Sequence, residues 1–167
     1  MTGGAADRAA RRGRVVIGVG NPFRRDDGAG PAVVEALRGR IAATPAVTDG
    51  EPARLIELWA GAALAVVVDA VRADPPRPGR VHEQALEAVG RDGLDPPASS
   101  HALGLEHAVE LGTALDRMPV RLRVYAIEGA DFDFGVGLTP EVEAAVATVA
   151  ARVEALLRDP ADAPPAR

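Results

Sequence analysis

The chain has 167 residues, 19 positive against 24 negative side chains and no cysteine. That length favours one domain, and a net charge of -5 excludes a broad basic face for nucleic acid. Without cysteine there is no disulfide framework, thiol nucleophile or zinc-thiolate site. Any metal must be held by His, Asp or Glu, and any nucleophile must be Ser, Thr, a carboxylate or water. The three histidines, His82, His101 and His107, therefore carry weight. Every positive side chain is Arg, and Ala is very frequent, the mark of a GC-rich coding sequence. Aromatic residues make up 3%, so the core must be built from Val, Leu, Ile and Ala. This suits a buried parallel sheet under Ala-rich helices.

Residues 1–14 are small, polar and basic, and read as a disordered lead. The Arg11-Arg12 pair is followed by only Val15, Val16 and Ile17 before Gly18, too short an apolar run for a twin-arginine signal. Residues 15–20 form a short apolar run ending in Gly20-Asn21, a buried strand. Asp26-Asp27-Gly28 followed by Pro31 marks a helix start, and Val33, Val34, Leu37 and Ile41 form its stripe. Residues 46–48 predict a brief strand. Residues 52–59 predict a helix with Leu55, Ile56 and Leu58 inward.

Residues 64–70, Leu-Ala-Val-Val-Val-Asp-Ala, are the strongest strand in the chain. Pro75, Pro76, Pro78 and Gly79 form a loop, residues 80–83 a short strand, and residues 90–100 a polar loop. A helix over 101–115 and a strand over 120–127 follow. Thr139-Pro140 opens a last helix with Val142, Val146, Val149, Val153 and Leu156 on one face. The domain spans 15–158, and residues 159–167 read as a flexible tail. No window approaches the roughly 18 apolar residues of a membrane span, so a cytoplasmic protein without membrane or nucleic-acid contacts is expected. Alternating strands and helices make an α/β fold with helices on both faces of the sheet.

In such sheets ligands bind outside the carboxyl ends of the strands, and three chemically interesting points fall there. The first is residues 18–30. A dinucleotide fingerprint fails, because Phe23 stands where its third glycine belongs. Adjacent acids at the helix start would also repel a pyrophosphate. One carboxylate suffices to cap a helix, so the second of Asp26 and Asp27 is free to face the crevice. The second point is Asp69, which ends an apolar run and needs a hydrogen bond, a cation such as Arg72, or a metal. The third is His101 after Ser99-Ser100, where capping or solvent exposure competes with a functional role. His82 and His107 read as structural or surface residues. Together Asp27, Asp69 and His101 make an O/O/N ligand set with open coordination positions, the pattern of a catalytic metal site.

Four motifs in order carry a family resemblance over residues 15–157. Gly18-Val19-Gly20-Asn21-Pro22 with Asp26-Asp27-Gly28-Ala29-Gly30 resembles the opening motif of the hydrogenase maturation proteases. Val66-Val67-Val68-Asp69-Ala70-Val71 resembles their strand ending in Asp-Ala, and Ser99-Ser100-His101-Ala102-Leu103-Gly104-Leu105 their Ser-His segment. Glu128-Gly129 with Gly137-Leu138-Thr139-Pro140-Glu141-Val142 resembles their C-terminal Gly-Leu-Ser/Thr-Pro-x-Val. The resemblance implies a single-domain, mostly parallel twisted sheet of about five strands with helices on both faces.

It also implies an endopeptidase that removes the C-terminal extension of a [NiFe]-hydrogenase large-subunit precursor. Asp27, Asp69 and His101 would contact nickel brought by that precursor. No permanently bound cofactor is implied, and a monomer is expected. Gly20 and Asn21 are candidates for holding the substrate chain or its carbonyl oxygen. Nickel would polarise the carbonyl or activate water, unless Asp27 or Asp69 serves as general base. The competing readings are a non-catalytic binding module and a metal-independent aspartic-type peptidase of the same fold. The chain departs from the family at Asp49-Gly50-Glu51-Pro52, where many members have a Gly-Gly-Thr-like turn. This local change at the crevice rim bears on partner specificity.

Overall fold

Strands apolar on both faces must be covered on both faces, and this requirement organises the chain. A computed structural model describes residues 13–87 and 102–159. The lead up to residue 12, the 90–100 loop, His101 and the tail from residue 160 lie outside the described residues. Strands β1 (Arg14–Val19) and β3 (Leu64–Val71) are buried at every position. With β2 (Thr44–Thr48), β4 (Val81–Glu87) and β5 (Arg121–Glu128) they form a five-stranded sheet of order β2-β1-β3-β5-β4. All pairings are parallel except β4 with β5.

Successive side chains of a strand point to opposite faces, so each strand feeds two cores. On one face Val16, Val66, Val68, Tyr125 and Ile127 pack against α1 (Ala29–Leu37) and α4 (Pro140–Arg158). On the other, Ile17, Ala65, Val67, Leu122 and Val124 meet α2 (Pro52–Trp59) and α3 (Ala102–Ala114). Among the described residues, no helix is long and apolar enough to cross a membrane.

The expected α/β architecture is present, with differences at element edges. Arg14, assigned to the lead by its charge, is buried in β1, and its guanidinium donates to Leu157 O at 2.6 Å. Ile41 packs on the core from the turn beyond α1, which ends at Leu37. Leu58 and Leu156 pack against the core as expected but only partly buried, and Trp59 and Leu157 are buried beside them. β4 runs on to Glu87, because an edge strand tolerates the polar residues that hid it.

Glycines let α1 approach the sheet. A Cβ on Gly30 would strike the carbonyl oxygens of Val68 and Val19, and one on Gly18 that of Gly30. These contacts are with backbone, which cannot swing aside. Gly30→Ala is expected to destabilise the fold by about 2–3 kcal/mol, measured by denaturant unfolding. A change within about 0.5 kcal/mol would show that α1 can retreat freely.

Candidate active site

From β1 the chain steps to β2 on one side, while β3 lies on the other. The crevice outside the carboxyl ends of β1 and β3 is therefore the topological switch point of the sheet. Both carboxylates singled out in the sequence are placed here. Asp27 lies in a single 3-10 turn (Arg25–Gly28) between β1 and α1, and Asp69 lies near the end of β3.

Gly20 leaves β1 with φ +137°, and a Cβ there would collide with Asp27 O. Only glycine lets the loop fold back tightly enough to bring the turn over the strand end. Asn21 N–H then donates to Asp27 Oδ2 at 2.8 Å, while Asn21 Oδ1 accepts from Phe23 N at 2.9 Å. Of the amide groups after Gly20, Asn21 N–H is engaged with Asp27, Phe23 N–H with Asn21 Oδ1 and Arg24 N–H with Asn21 O, and Gly20 N–H itself bonds to Thr48 O. The Asn21 main-chain N–H thus orients Asp27, while Gly20 N–H ties the loop to β2.

The two acids divide their work. Asp26 is fully buried, and its carboxylate accepts from Ala130 N, Asp131 N, Thr139 N and the Thr139 hydroxyl at 2.8–3.1 Å. Burial alone would push this carboxyl up, but the donors outweigh it and hold it below the usual carboxylate range. Neither acid caps α1 through its side chain, contrary to the helix-cap expectation. Asp26 instead ties the loop between β5 and α4 to the turn that carries Asp27. Reinforcing contacts include Arg25 N to Gly135 O, Gly135 N to Phe23 O, and the Arg24 guanidinium over the Phe134 ring at 4.7 Å.

Asp69 is buried at 6% exposure, and its Oδ1 has no hydrogen-bond partner among the described residues. Burial, and then the charge of Asp27, push its carboxyl well above the ordinary range, against one hydrogen bond from Ala70. Arg72, weighed as its partner, lies over the Phe132 ring at 4.4 Å instead. Asp69 projects toward the α2 and α3 layer, since it alternates in phase with Ala65 and Val67. α3 ends beside the start of β5, with Gly112 near Met118 and Val120 N bonded to Ala62 O. Its first turn therefore lies toward the carboxyl edge. His101 immediately precedes α3 in sequence and is outside the described residues.

The rim at Asp49-Gly50-Glu51-Pro52 closes the β2 side. Gly50 has φ +96°, and Glu51 caps α2 by accepting from Ala53 N and Arg54 N at 3.2 and 3.1 Å. His107 is exposed on α3, as expected for a surface residue. His82 is different: it pairs with the buried Glu128 at 2.8 Å, a partner no local pattern reveals.

The family model described as hydrogenase maturation protease matches residues 31–156. The chain belongs to the hydrogenase maturation protease family. Like the family, it is a hydrolase. The matched stretch contains Asp69 and begins just past the Gly20–Asp27 loop. Among solved structures, the [NiFe] hydrogenase maturation protease HybD of Thermococcus kodakarensis superposes with a TM-score of 0.69 at 26% identity. The match covers 87% of this chain and 99% of that one. The hydrogenase maturating endopeptidase HybD of E. coli gives 0.69 at 25% identity, covering 87% and 91%. An Escherichia coli endopeptidase solved in solution gives 0.72 at 25%, with the same coverage of 87% and 91%. No curated protein gives a significant sequence match. The five-stranded, mostly parallel architecture agrees with these relatives.

Proposed function

We propose that this maturation protease removes the C-terminal extension of a [NiFe]-hydrogenase large-subunit precursor after nickel insertion. Asp27, Asp69 and His101 contact the nickel that the precursor carries. The observation that carries this reading is the unsatisfied Asp69 Oδ1, buried beside the like charge of Asp27 at the switch point. Leaving an anionic oxygen buried without a donor costs several kcal/mol, and an incoming divalent cation relieves both the desolvation and the repulsion. Carboxylates with an imidazole suit a borderline ion such as nickel. A site lacking thiolates suits cargo that arrives and leaves. The cation supplies polarisation of the scissile carbonyl or a lowered water pKa. The protein contributes a fixed orientation of Asp27, through Asn21, and a dry wall of β3. Exposed Phe23, Phe134 and Val136, on the two joined loops, offer a protein substrate an apolar surface beside the carboxylates.

A second reading is favoured by the same pair. Two neighbouring carboxylates, one of them pushed well above the usual carboxylate range by burial and by the other's charge, resemble the pair of an aspartic-type peptidase that needs no metal. The two readings separate in one experiment. The protein is incubated with large-subunit precursor, nickel-loaded and nickel-free, and the C-terminal mass of the product is read. Cleavage of the loaded precursor alone is expected. Equal cleavage of both would replace the nickel-dependent reading by the aspartic one, and cleavage of neither would sink the proposed function.

A further inference from the structure

The sheet register places a second chemical group in the crevice, beyond the pair of aspartates. Asp69 of β3 lies opposite Ala126 of β5, and Ala126 lies opposite His82 of β4. Cross-strand partners share a face, so Asp69, Ala126 and His82 form one row across the α2 and α3 side of the sheet. Because β4 runs antiparallel, its first residues fall at the carboxyl edge of the other strands. Two strand spacings separate the Asp69 and His82 backbones by about 10 Å. Between them stands Ala126, which carries only a methyl group and is itself buried.

The His82 ring is held as a reacting imidazole is held. Its Nε2 is 2.8 Å from Glu128 Oε2, and Glu128 Oε1 accepts from Arg77 N at 3.1 Å. The Glu128 side chain is 3% exposed and that of His82 33%. Arg80 stands 4.0 Å from the same Oε2. In the neutral ring, Nε2–H donated to Glu128 leaves Nδ1 with its lone pair. Nδ1 makes no hydrogen bond among the described residues. A base whose far nitrogen is oriented by a carboxylate is the shared logic of proton-transferring histidines on unrelated folds. Among the described residues, the contacts and the register place Glu128, Arg80 beyond it, and Asp69 across Ala126 around His82.

We infer that His82 is a catalytic proton carrier of this crevice and that Glu128 is its positioning residue. The inference rests on the endopeptidase reading above. In the step assigned to it, His82 Nδ1 takes one proton from the attacking water as the water oxygen bonds to the scissile carbonyl carbon. The imidazolium is held by the Glu128 carboxylate. The carbon–nitrogen bond then breaks, its electron pair stays on nitrogen, and Nδ1 returns the proton to that departing amine. One water is consumed, and a carboxyl and an amino terminus are formed.

The alternative is that His82 merely satisfies Glu128 and pins β4 to β5, and His82→Gln separates the two. A glutamine amide can still donate to Glu128 but cannot carry a proton. With nickel-loaded precursor as substrate, H82Q is expected to lower kcat by about 10²–10⁴-fold, with KM and Tm little changed. H82A should show the same loss, partly restored by added imidazole. Wild-type kcat in H82Q would overturn the inference, as would a loss of activity that only tracks loss of folded protein in both variants. Wild-type protein that cleaves no precursor instead refutes the endopeptidase reading itself, so the two failures are distinct.

Discussion

Asp26→Ala is expected to lower the melting temperature by about 10 °C while removing a side chain that never faces the crevice. Its carboxylate satisfies three backbone N–H groups and one hydroxyl of the 130–139 loop. Hydrogen bonds to a charged acceptor contribute about 1.5–3 kcal/mol each, and stranded donors add their own desolvation cost. Because the bonds act on one loop, they do not sum, and a net loss of about 3–5 kcal/mol is expected. In a domain of this size each kcal/mol shifts Tm by about 2–4 °C.

The pH dependence has a definite sign. Asp26 is held below the usual carboxylate range in the folded state, so it binds a proton less readily there than in the unfolded chain. Its stabilisation is fully present above the unfolded value of about 3.9 and is gone once pH has fallen through the lowered folded value. The gap in Tm between wild type and variant should therefore be wide at pH 7 and narrow in strong acid. A shift of only a degree or two at pH 7 would show that the loop holds without Asp26. Activity should fall as well, since the same turn carries Asp27.

Asp69→Asn should have the opposite profile: processing falls by about 10³-fold or more, yet the protein is as stable as wild type or more so. Burial, and then Asp27, raise the Asp69 carboxyl, so the folded state binds its proton more readily than the unfolded chain does. By linkage, the contribution of Asp69 to stability is greatest below about 3.9. It declines as pH rises through the raised folded value, and stays low above it. Asparagine removes this decline, and the advantage of the variant should grow from pH 4 to pH 7 in thermal unfolding. A large drop in Tm would mark Asp69 as a structural acceptor and remove it from the site. A destabilised Asp26 variant beside a stable, inactive Asp69 variant would also show that buried carboxylates on adjoining turns serve different ends.

Much of the fold was legible because it is written in local pattern. β3 shows as an apolar run interrupted only by Asp69 and buried throughout, and α4 as a stripe of valines opened by Thr139-Pro140. β4 was only half legible. It is an edge strand whose alternation of Val81, Glu83 and Ala85 with His82, Gln84 and Leu86 has no clean apolar side, and its direction depends on a partner 46 residues away in register. Trp59 was missed because helical spacing marks Leu55, Ile56 and Leu58 first, and only the packed core shows that Trp59 is buried with them. Within the candidate site, residues 18–30 stood out by glycine spacing and paired acids. The division between Asp26 and Asp27 did not, because it depends on a loop that arrives from beyond residue 128.

The sequence by itself determined the kinds of chemistry available. A chain without cysteine or lysine, with carboxylates after its apolar runs, can present only oxygen and imidazole donors at the carboxyl ends of a parallel sheet. It also determined where the tight turns fall, because only glycine meets the backbone approaches at Gly20 and Gly30. The tertiary structure decided which of two identical neighbours is structural, why Asp69 remains unsatisfied, and that His82 meets Glu128 on the row that Asp69 occupies. Burial, like charge and cross-strand register are relations between distant segments. They take on values only when the sheet brings those segments together.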